Sequence, residues 1–99
     1  MLSPRPVIAI DPRKLLVPSN MGADPYKLQK QIAKYGNSIV GMPLLVGYET
    51  LDGFILLFDG ITRATRVAKL LPGRAVQVQI AGKMKVMSTK YHCIEETIP

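Results

Sequence analysis

The sequence predicts a small α+β domain in which a mixed β-sheet packs against two main helices. Short apolar runs rich in β-branched residues alternate with two amphipathic segments of helical period, the pattern expected for such a domain. The pair Asp52-Gly53 separates two of the apolar runs and predicts a β-hairpin. The second of these runs leads directly into the second amphipathic segment, so a strand should feed a helix there.

The length of the chain fits a single domain over residues 1–99. Its 99 residues can bury one modest core, and a hydrophobic fraction of 47% is enough to build it. We expect the core of the domain to lie within about 7–81, with 82–99 as a tail.

Charge and cysteine content limit the classes of partner. The formal net charge of +6 favours nucleotides, non-specific nucleic acid or an acidic protein. The single cysteine, Cys93, excludes a disulfide framework and a cysteine-based zinc cluster, so we expect no metal site and a reducing, cytoplasmic location. The longest apolar run, 54–58, is too short to cross a bilayer, and the first residues do not resemble a secretory signal. No membrane partner is therefore expected.

The first half of the chain contains two predicted strands and a helix. Residues 7–10 form an apolar run after two prolines, Asp11-Pro12 turns the chain, and 15–17 form a second short piece before a loop at 18–22. Asp24 as N-cap and proline at the next position predict a helix start. This helix has an apolar stripe formed by Leu28, Ile32 and Tyr35. It should end at Gly36-Asn37.

The second half begins with the hairpin strands, 43–48 and 54–58. Because 54–58 is apolar at every position, we expect a central strand buried on both faces. In the next helix Ile61, Val67 and Leu71 should face the sheet, whereas Arg66 and Lys69 should be exposed. Pro72-Gly73 should end that helix, 75–80 should form a half-exposed strand and 81–83 a turn. The tail fits two structures: Met84, Met87, Tyr91 and Ile94 have helical spacing, whereas its residue types favour a strand. Of the two, we expect a strand hairpinned onto 75–80.

The junction Asp59-Gly60-Ile61-Thr62-Arg63 is the strongest candidate for a binding site. The first turn of a helix has free backbone N–H groups and a partial positive charge. Gly60 would let an anion approach that backbone, Thr62 adds a hydroxyl, and Arg63 adds a guanidinium able to make bidentate phosphate contacts. Arg66, one turn later, extends this predicted phosphate- or nucleotide-binding set. The alternative is a plainly capped helix with a solvated Arg63.

The same junction resembles the signature of the ParB/sulfiredoxin-like superfamily. Phe58-Asp59-Gly60-Ile61-Thr62-Arg63 is similar to Phe-Gly-Gly-Cys-His-Arg of sulfiredoxins, to Gly-Glu-Arg-Arg of ParB proteins and most closely to Asp-Gly-His-His-Arg of the ParB-like nuclease branch. Upstream, Ile10-Asp11-Pro12 and Pro43-Leu44-Leu45-Val46 resemble the opening strand and the Pro-Ile-Ile-Val strand of ParB-like N-terminal domains. The likeness covers about 7–81 and implies a ParB/sulfiredoxin-like fold.

Departures from the family pattern limit what the resemblance implies about catalysis. Ile61 stands where sulfiredoxins have their catalytic cysteine and where ParB-type CTPases have a glutamate. Sulfinic-acid reductase activity is therefore not expected, and Mg²⁺-dependent CTP hydrolysis has no clear support. His92 lies outside the motif, so the catalytic residues are unknown.

The leading hypothesis is a phosphate- or nucleotide-binding module, whose cofactor is unknown but could be a nucleotide with or without Mg²⁺. One alternative is a protein-interaction module of a toxin or mobile-element system that binds an acidic partner. Another is a weak ParB-like nuclease. Protection of the fold by a nucleotide, a complex that survives replacement of Arg63, and metal-dependent cleavage would distinguish the three.

Overall fold

A computed structural model describes residues 5–18 and 22–98, so most of the predicted loop at 18–22 lies outside the described residues. The model is an α+β domain, as predicted: one mixed six-stranded sheet with two main helices and a third, short one. The strands are β1 (Val7–Ile10), β2 (Leu16–Val17), β3 (Leu45–Glu49), β4 (Ile55–Asp59), β5 (Val76–Lys83) and β6 (His92–Cys93). The helices are α1 (Pro25–Tyr35), α2 (Ile61–Leu70) and α3 (Ile94–Thr97), and single 3₁₀ turns span Pro12–Lys14 and Ser88–Lys90.

The sheet has the strand order β1-β5-β3-β4-β2-β6. The hairpin β3–β4 is antiparallel, and each of its strands has a parallel neighbour, β5 beside β3 and β2 beside β4. The outermost strands, β1 and β6, are antiparallel to β5 and β2. The hairpin predicted from Asp52-Gly53 is therefore confirmed, and it occupies the centre of the sheet.

Strand β4 is central but is not buried along its whole length. Ile55, Leu56 and Leu57 are buried, whereas the flanking Phe54 and Phe58 are exposed, Phe58 by 70%. The prediction of burial on both faces over 54–58 is wrong at these two ends. Phe58 instead packs edge-to-face on Tyr48 of β3, with the ring centroids 5.8 Å apart.

Local capping fixes α1 as predicted. The Asp24 carboxylate accepts hydrogen bonds from the backbone N–H groups of Tyr26 and Lys27, at 2.8 and 3.4 Å, and Pro25 is the first helical residue. Gly36, with φ of 54°, ends the helix and donates its N–H to the carbonyl of Ile32. Ile32 is half-buried, and no residue of α1 is fully buried, so α1 packs at the margin of the core.

Helix α2 is the main cover of the sheet. Its buried stripe of Ala64, Val67 and Ala68 packs against a core that includes Leu45 and Leu57. Lys69 is exposed, as predicted. Arg66 was predicted to be exposed, and this is wrong: only 2% of it is accessible.

The end of the chain differs most from the predictions. Residues 81–83 are not a turn, because β5 continues to Lys83 and keeps its parallel pairing with β3. The tail does not return along β5 either: β6 pairs with β2, on the far side of the sheet. Ile94 then enters the core, where it is fully buried, so the core extends beyond residue 81. Among the described residues, no helix combines the length and apolar character needed to cross a bilayer.

Candidate functional site

The candidate site lies where β4 passes through Gly60 into α2. Gly60 has φ of 95° and ψ of 20°, the left-handed conformation, and it turns the chain in a single residue. Within the described part of the chain, no side chain caps α2 and no acidic residue occupies its first turn. The first intrahelical bond runs from the N–H of Ala64 to the carbonyl of Gly60 at 2.9 Å. The N–H groups of residues 61–63 therefore point out of the helix end, where an anion would be stabilised.

Gly60 is also required by packing. A Cβ atom at this position would collide with the side chain of Leu45 and would lie 3.0 Å from Nη2 of Arg63. The missing side chain therefore points into the protein and not into the space before the helix. The sequence correctly predicts the glycine turn, but the reason for glycine is the close approach of Leu45 together with the positive φ.

Arg63 folds back over the glycine turn. Its side chain is 23% exposed, and its Nη2 lies 3.5 Å from Oδ2 of Asp59, a loose contact with a carboxylate that is itself largely exposed. Nε of Arg63 is buried and has no hydrogen-bond partner among the described residues. A buried N–H without an acceptor is unfavourable, and the described residues supply none for this donor.

An open groove of about 390 Å³ lies in front of the α2 N-terminus. Asp59, Gly60, Ile61, Thr62 and Arg63 all line it, so the structure brings together five of the six residues predicted from the sequence. The opposite wall comes from the start of α1 and from the exposed end of β4, through Gly22, Ala23, Asp24, Lys27, Gln31 and Phe58.

Gln31 and Lys27 are the members of this groove that sequence reasoning missed. They lie one helical turn apart on α1, and that spacing is the signal that could have paired them on one face. Oε1 of Gln31 is buried without a hydrogen-bond partner among the described residues, like Nε of Arg63. Two residues of the groove therefore have an unpaired polar atom among the described residues, one a donor and one an acceptor, and Lys27 adds an ammonium group.

Arg66, the sixth predicted residue, does not line this groove. Its Nη1 donates to the carbonyl oxygens of Gly36 and Ser38, at 2.7 and 2.8 Å, so its guanidinium fastens the end of α1 to α2. It lines a neighbouring cavity of about 130 Å³ that Arg63 and Gln31 share. Its role in the fold is to hold one wall of the site, because its guanidinium is bonded to the end of α1.

Other reactive side chains lie elsewhere. His92 and Cys93 are on β6, and neither lines the groove. Nδ1 of His92 contacts a carboxylate oxygen of Glu96 at 2.9 Å. Burial raises the pKa of the Cys93 thiol, and the nearby Glu96 and Glu95 carboxylates raise it further, so the thiolate form is disfavoured. No group of three or more His, Cys, Asp or Glu side chains within 5–18 and 22–98 could hold a metal ion.

Comparison with known proteins adds no assignment. No protein-family model matches the chain, and no curated protein matches it. The resemblance of residues 7–81 to the ParB/sulfiredoxin-like superfamily therefore stays a prediction from the motif, and the function is argued from the geometry of the groove.

Proposed function

We propose that this domain binds a phosphate-containing ligand, most simply a nucleotide, with a phosphate group at the N-terminus of α2. The observation that carries the proposal is the buried, unpartnered Nε of Arg63, a residue of the first turn of α2, whose N–H groups at 61–63 have no intrahelical acceptor. A phosphate in the groove would accept from those N–H groups and from the Arg63 guanidinium. Helix N-termini bind phosphate through free N–H groups, and arginine side chains bind it through bidentate hydrogen bonds.

The groove has two cations, Lys27 and Arg63, and two carboxylates, Asp24 and Asp59, so an anion is favoured by the N-terminus of α2 and not by net charge. The Asp59 carboxylate is 3.5 Å from Arg63 and largely exposed, so it can turn to solvent when a phosphate replaces it. Lys27 and the helix dipole of α2 then face the phosphate together with Arg63. A groove of about 390 Å³ also falls within the usual range for small-molecule sites. It therefore has room for a sugar or a base beyond the phosphate.

The proposal concerns binding, and the residues that would break a bond are unassigned. Asp24 and Asp59 are the carboxylates of the groove. Carboxylate oxygens suit Mg²⁺, which usually accompanies nucleotide phosphates and keeps several of its waters. The nucleotide is therefore tested with and without Mg²⁺. We place the protein in the cytoplasm, which the single unpaired cysteine favours.

Isothermal titration with ATP, CTP, GTP and inorganic phosphate tests the proposal. Replacement of Arg63 by Ala removes charge-assisted hydrogen bonds of about 1.5–3 kcal/mol each, so affinity should fall at least about tenfold. Thr62→Val keeps the shape of the side chain and reports on the hydroxyl alone. Lys69→Ala removes a positive charge from the exposed side of the same helix and should leave the affinity unchanged. Added salt should weaken binding, because part of it is Coulombic.

The proposal fails if no ligand gives heat and the amide resonances of residues 60–63 do not move during the titration. It also fails if Lys69→Ala weakens binding as much as Arg63→Ala, because the effect would then come from net charge. Gly60→Val does not serve as a test, since its Cβ would collide with Leu45 and disturb the fold.

One observation favours a second candidate, an interaction module for an acidic protein partner. The ring of Phe58 is 70% exposed at the edge of the groove, beside Arg63 and Lys27. An exposed aromatic ring bordered by cations is typical of the centre of a protein interface. A complex with an acidic protein that survives Arg63→Ala but is lost in Phe58→Ala would support this candidate over the first.

A further inference from the structure

A second basic surface follows the outer side of α1. Lys27, Lys30 and Lys34 recur at intervals of three and four residues, so their side chains share one face of the helix. All three line one open groove of about 300 Å³, which α1 forms with Thr62 of α2. We call this surface, made by Lys27, Lys30, Lys34, Tyr35 and Thr62, the lysine groove.

These lysines weaken the helix that carries them. Helix α1 contains no acidic residue, and like charges three and four residues apart repel each other. Lys27 also lies in the first turn, where the helix dipole disfavours a cation. Among the described residues, none of the three ammonium groups is within 4.0 Å of a carboxylate. A row of unpaired cations in a concave surface is complementary to a chain of phosphates.

Exposed aromatic rings border the same surface. Tyr26 is 64% exposed and Tyr35 is 43% exposed. Nζ of Lys30 lies 4.6 Å from the centroid of the Tyr26 ring, and Nζ of Lys34 lies 5.2 Å from that of Tyr35. These cation–π contacts hold each ammonium group beside a ring at the protein surface. Unpaired bases stack on such rings, whereas the bases of a duplex are stacked on each other and cannot.

From these contacts we infer that the lysine groove binds the sugar–phosphate backbone of single-stranded nucleic acid, with Tyr26 as a stacking surface for a base. Lys27, Lys30 and Lys34 would each contact a phosphate. The inference does not rest on the phosphate site at α2. Lys27, Gln31 and Thr62 border both grooves, but Arg63 does not line this one.

Fluorescence anisotropy with a labelled oligothymidine tests the inference. An oligonucleotide of about 12 nucleotides lies within the usual site size of single-strand-binding domains. The variant Lys27→Gln/Lys30→Gln/Lys34→Gln should bind at least about tenfold more weakly near 100 mM salt. Each lost phosphate contact should make the slope of log K against log salt shallower by about 0.7, so the three together should change it by about 2. Tyr26→Ala should lose at least about fivefold, whereas Tyr26→Phe, which keeps the ring, should bind as the parent does.

The control variant Arg74→Gln/Lys85→Gln/Lys90→Gln removes the same charge from exposed positions outside the lysine groove. We expect it to bind the oligonucleotide within about twofold of the parent, since net charge alone acts weakly at this salt concentration. Circular dichroism melting of both triple variants checks that each is folded. Arg63→Ala should retain oligonucleotide binding, which separates this inference from the phosphate site at α2.

Three outcomes would overturn the inference. The parent does not bind the oligonucleotide at all, the two triple variants lose equal affinity, or a duplex of the same length binds as tightly as the single strand. Equal losses would mean that net charge, and not the lysine groove, attracts the nucleic acid. Tight duplex binding would mean that stacking on Tyr26 plays no part.

Discussion

Replacement of Arg66 is the most direct test of how the site is held together. Arg66 is only 2% exposed, and its guanidinium donates to the carbonyls of Gly36 and Ser38 at 2.7 and 2.8 Å. Hydrogen bonds from a charged donor contribute about 1.5–3 kcal/mol each, so the loss of both costs about 3–6 kcal/mol. Removal of a buried charge regains part of this, and we expect Arg66→Ala to lower the free energy of unfolding by about 3–5 kcal/mol.

Arg66→Met separates the charge from the volume. Met fills much of the same space and has no charge to bury, but it leaves the two carbonyls without a donor. The loss should therefore be smaller than for Ala, about 1–3 kcal/mol. Arg74 is exposed and serves as the matched control, because Arg74→Ala should change the free energy of unfolding by less than about 0.5 kcal/mol.

Urea unfolding followed by far-ultraviolet circular dichroism measures these differences. With a slope of about 2 kcal/mol per M, a loss of 3–5 kcal/mol lowers the urea midpoint by roughly 2 M. A change of less than about 0.5 kcal/mol in Arg66→Ala would mean that the guanidinium does not hold α1 against α2. If Arg66→Met were less stable than Arg66→Ala, the loss in free energy of unfolding could not be divided into a charge part and a volume part.

Two further substitutions probe the sheet and the tail. Leu56 is buried on β4 and is paired with Leu16 of β2. Leu56→Ala should lower the free energy of unfolding by about 2–5 kcal/mol in the same urea assay. A loss below about 1 kcal/mol would contradict the place of Leu56 in the core. The Asp52 carboxylate accepts hydrogen bonds from the hydroxyls of Ser88 and Thr50. These bonds, chiefly the one from Ser88, lower the pKa of Asp52 to about 2. Because the folded-state pKa lies below the ordinary value of 3.8, this stabilisation is complete above about pH 4 and is lost as the pH falls through about 2. Asp52→Asn should therefore be less stable than the parent at neutral pH, with the difference shrinking below about pH 3; a difference that is constant with pH would refute the assignment.

The sequence predicts the parts of the fold that local chemistry decides. Asp24-Pro25 and Gly36 mark the ends of α1 because capping needs only the residues at the helix end. The Asp52-Gly53 turn marks the central hairpin for the same reason. The glycine turn into α2 is likewise a local feature, so five of the six predicted binding residues do line one groove.

The errors fall where distant parts of the chain meet. Arg66 lies on the polar side of the α2 pattern, but its burial depends on carbonyls about thirty positions earlier, at Gly36 and Ser38. The predicted pairing of the tail with β5 is wrong, and the strand β6 pairs with β2. A segment of two residues, His92 and Cys93, is too short for periodicity to reveal a strand. Gln31 lines the groove because α1 packs against α2. Such contacts have no local signature in a single sequence.

The strand order has a consequence for how this chain folds as it is synthesised. Among the described strands, β1 pairs with β5 alone, in the register Val7 to Gln79, and β6 is the outer neighbour of β2. At translation rates of about 5–20 residues per second, the N-terminal strand waits several seconds for its partner. The hairpin β3–β4 and helix α2 can associate in the meantime, since they are close in sequence. Ile94 belongs to the core and lies near the end of the described chain, so the domain completes its native packing only after nearly all of that chain has left the ribosome.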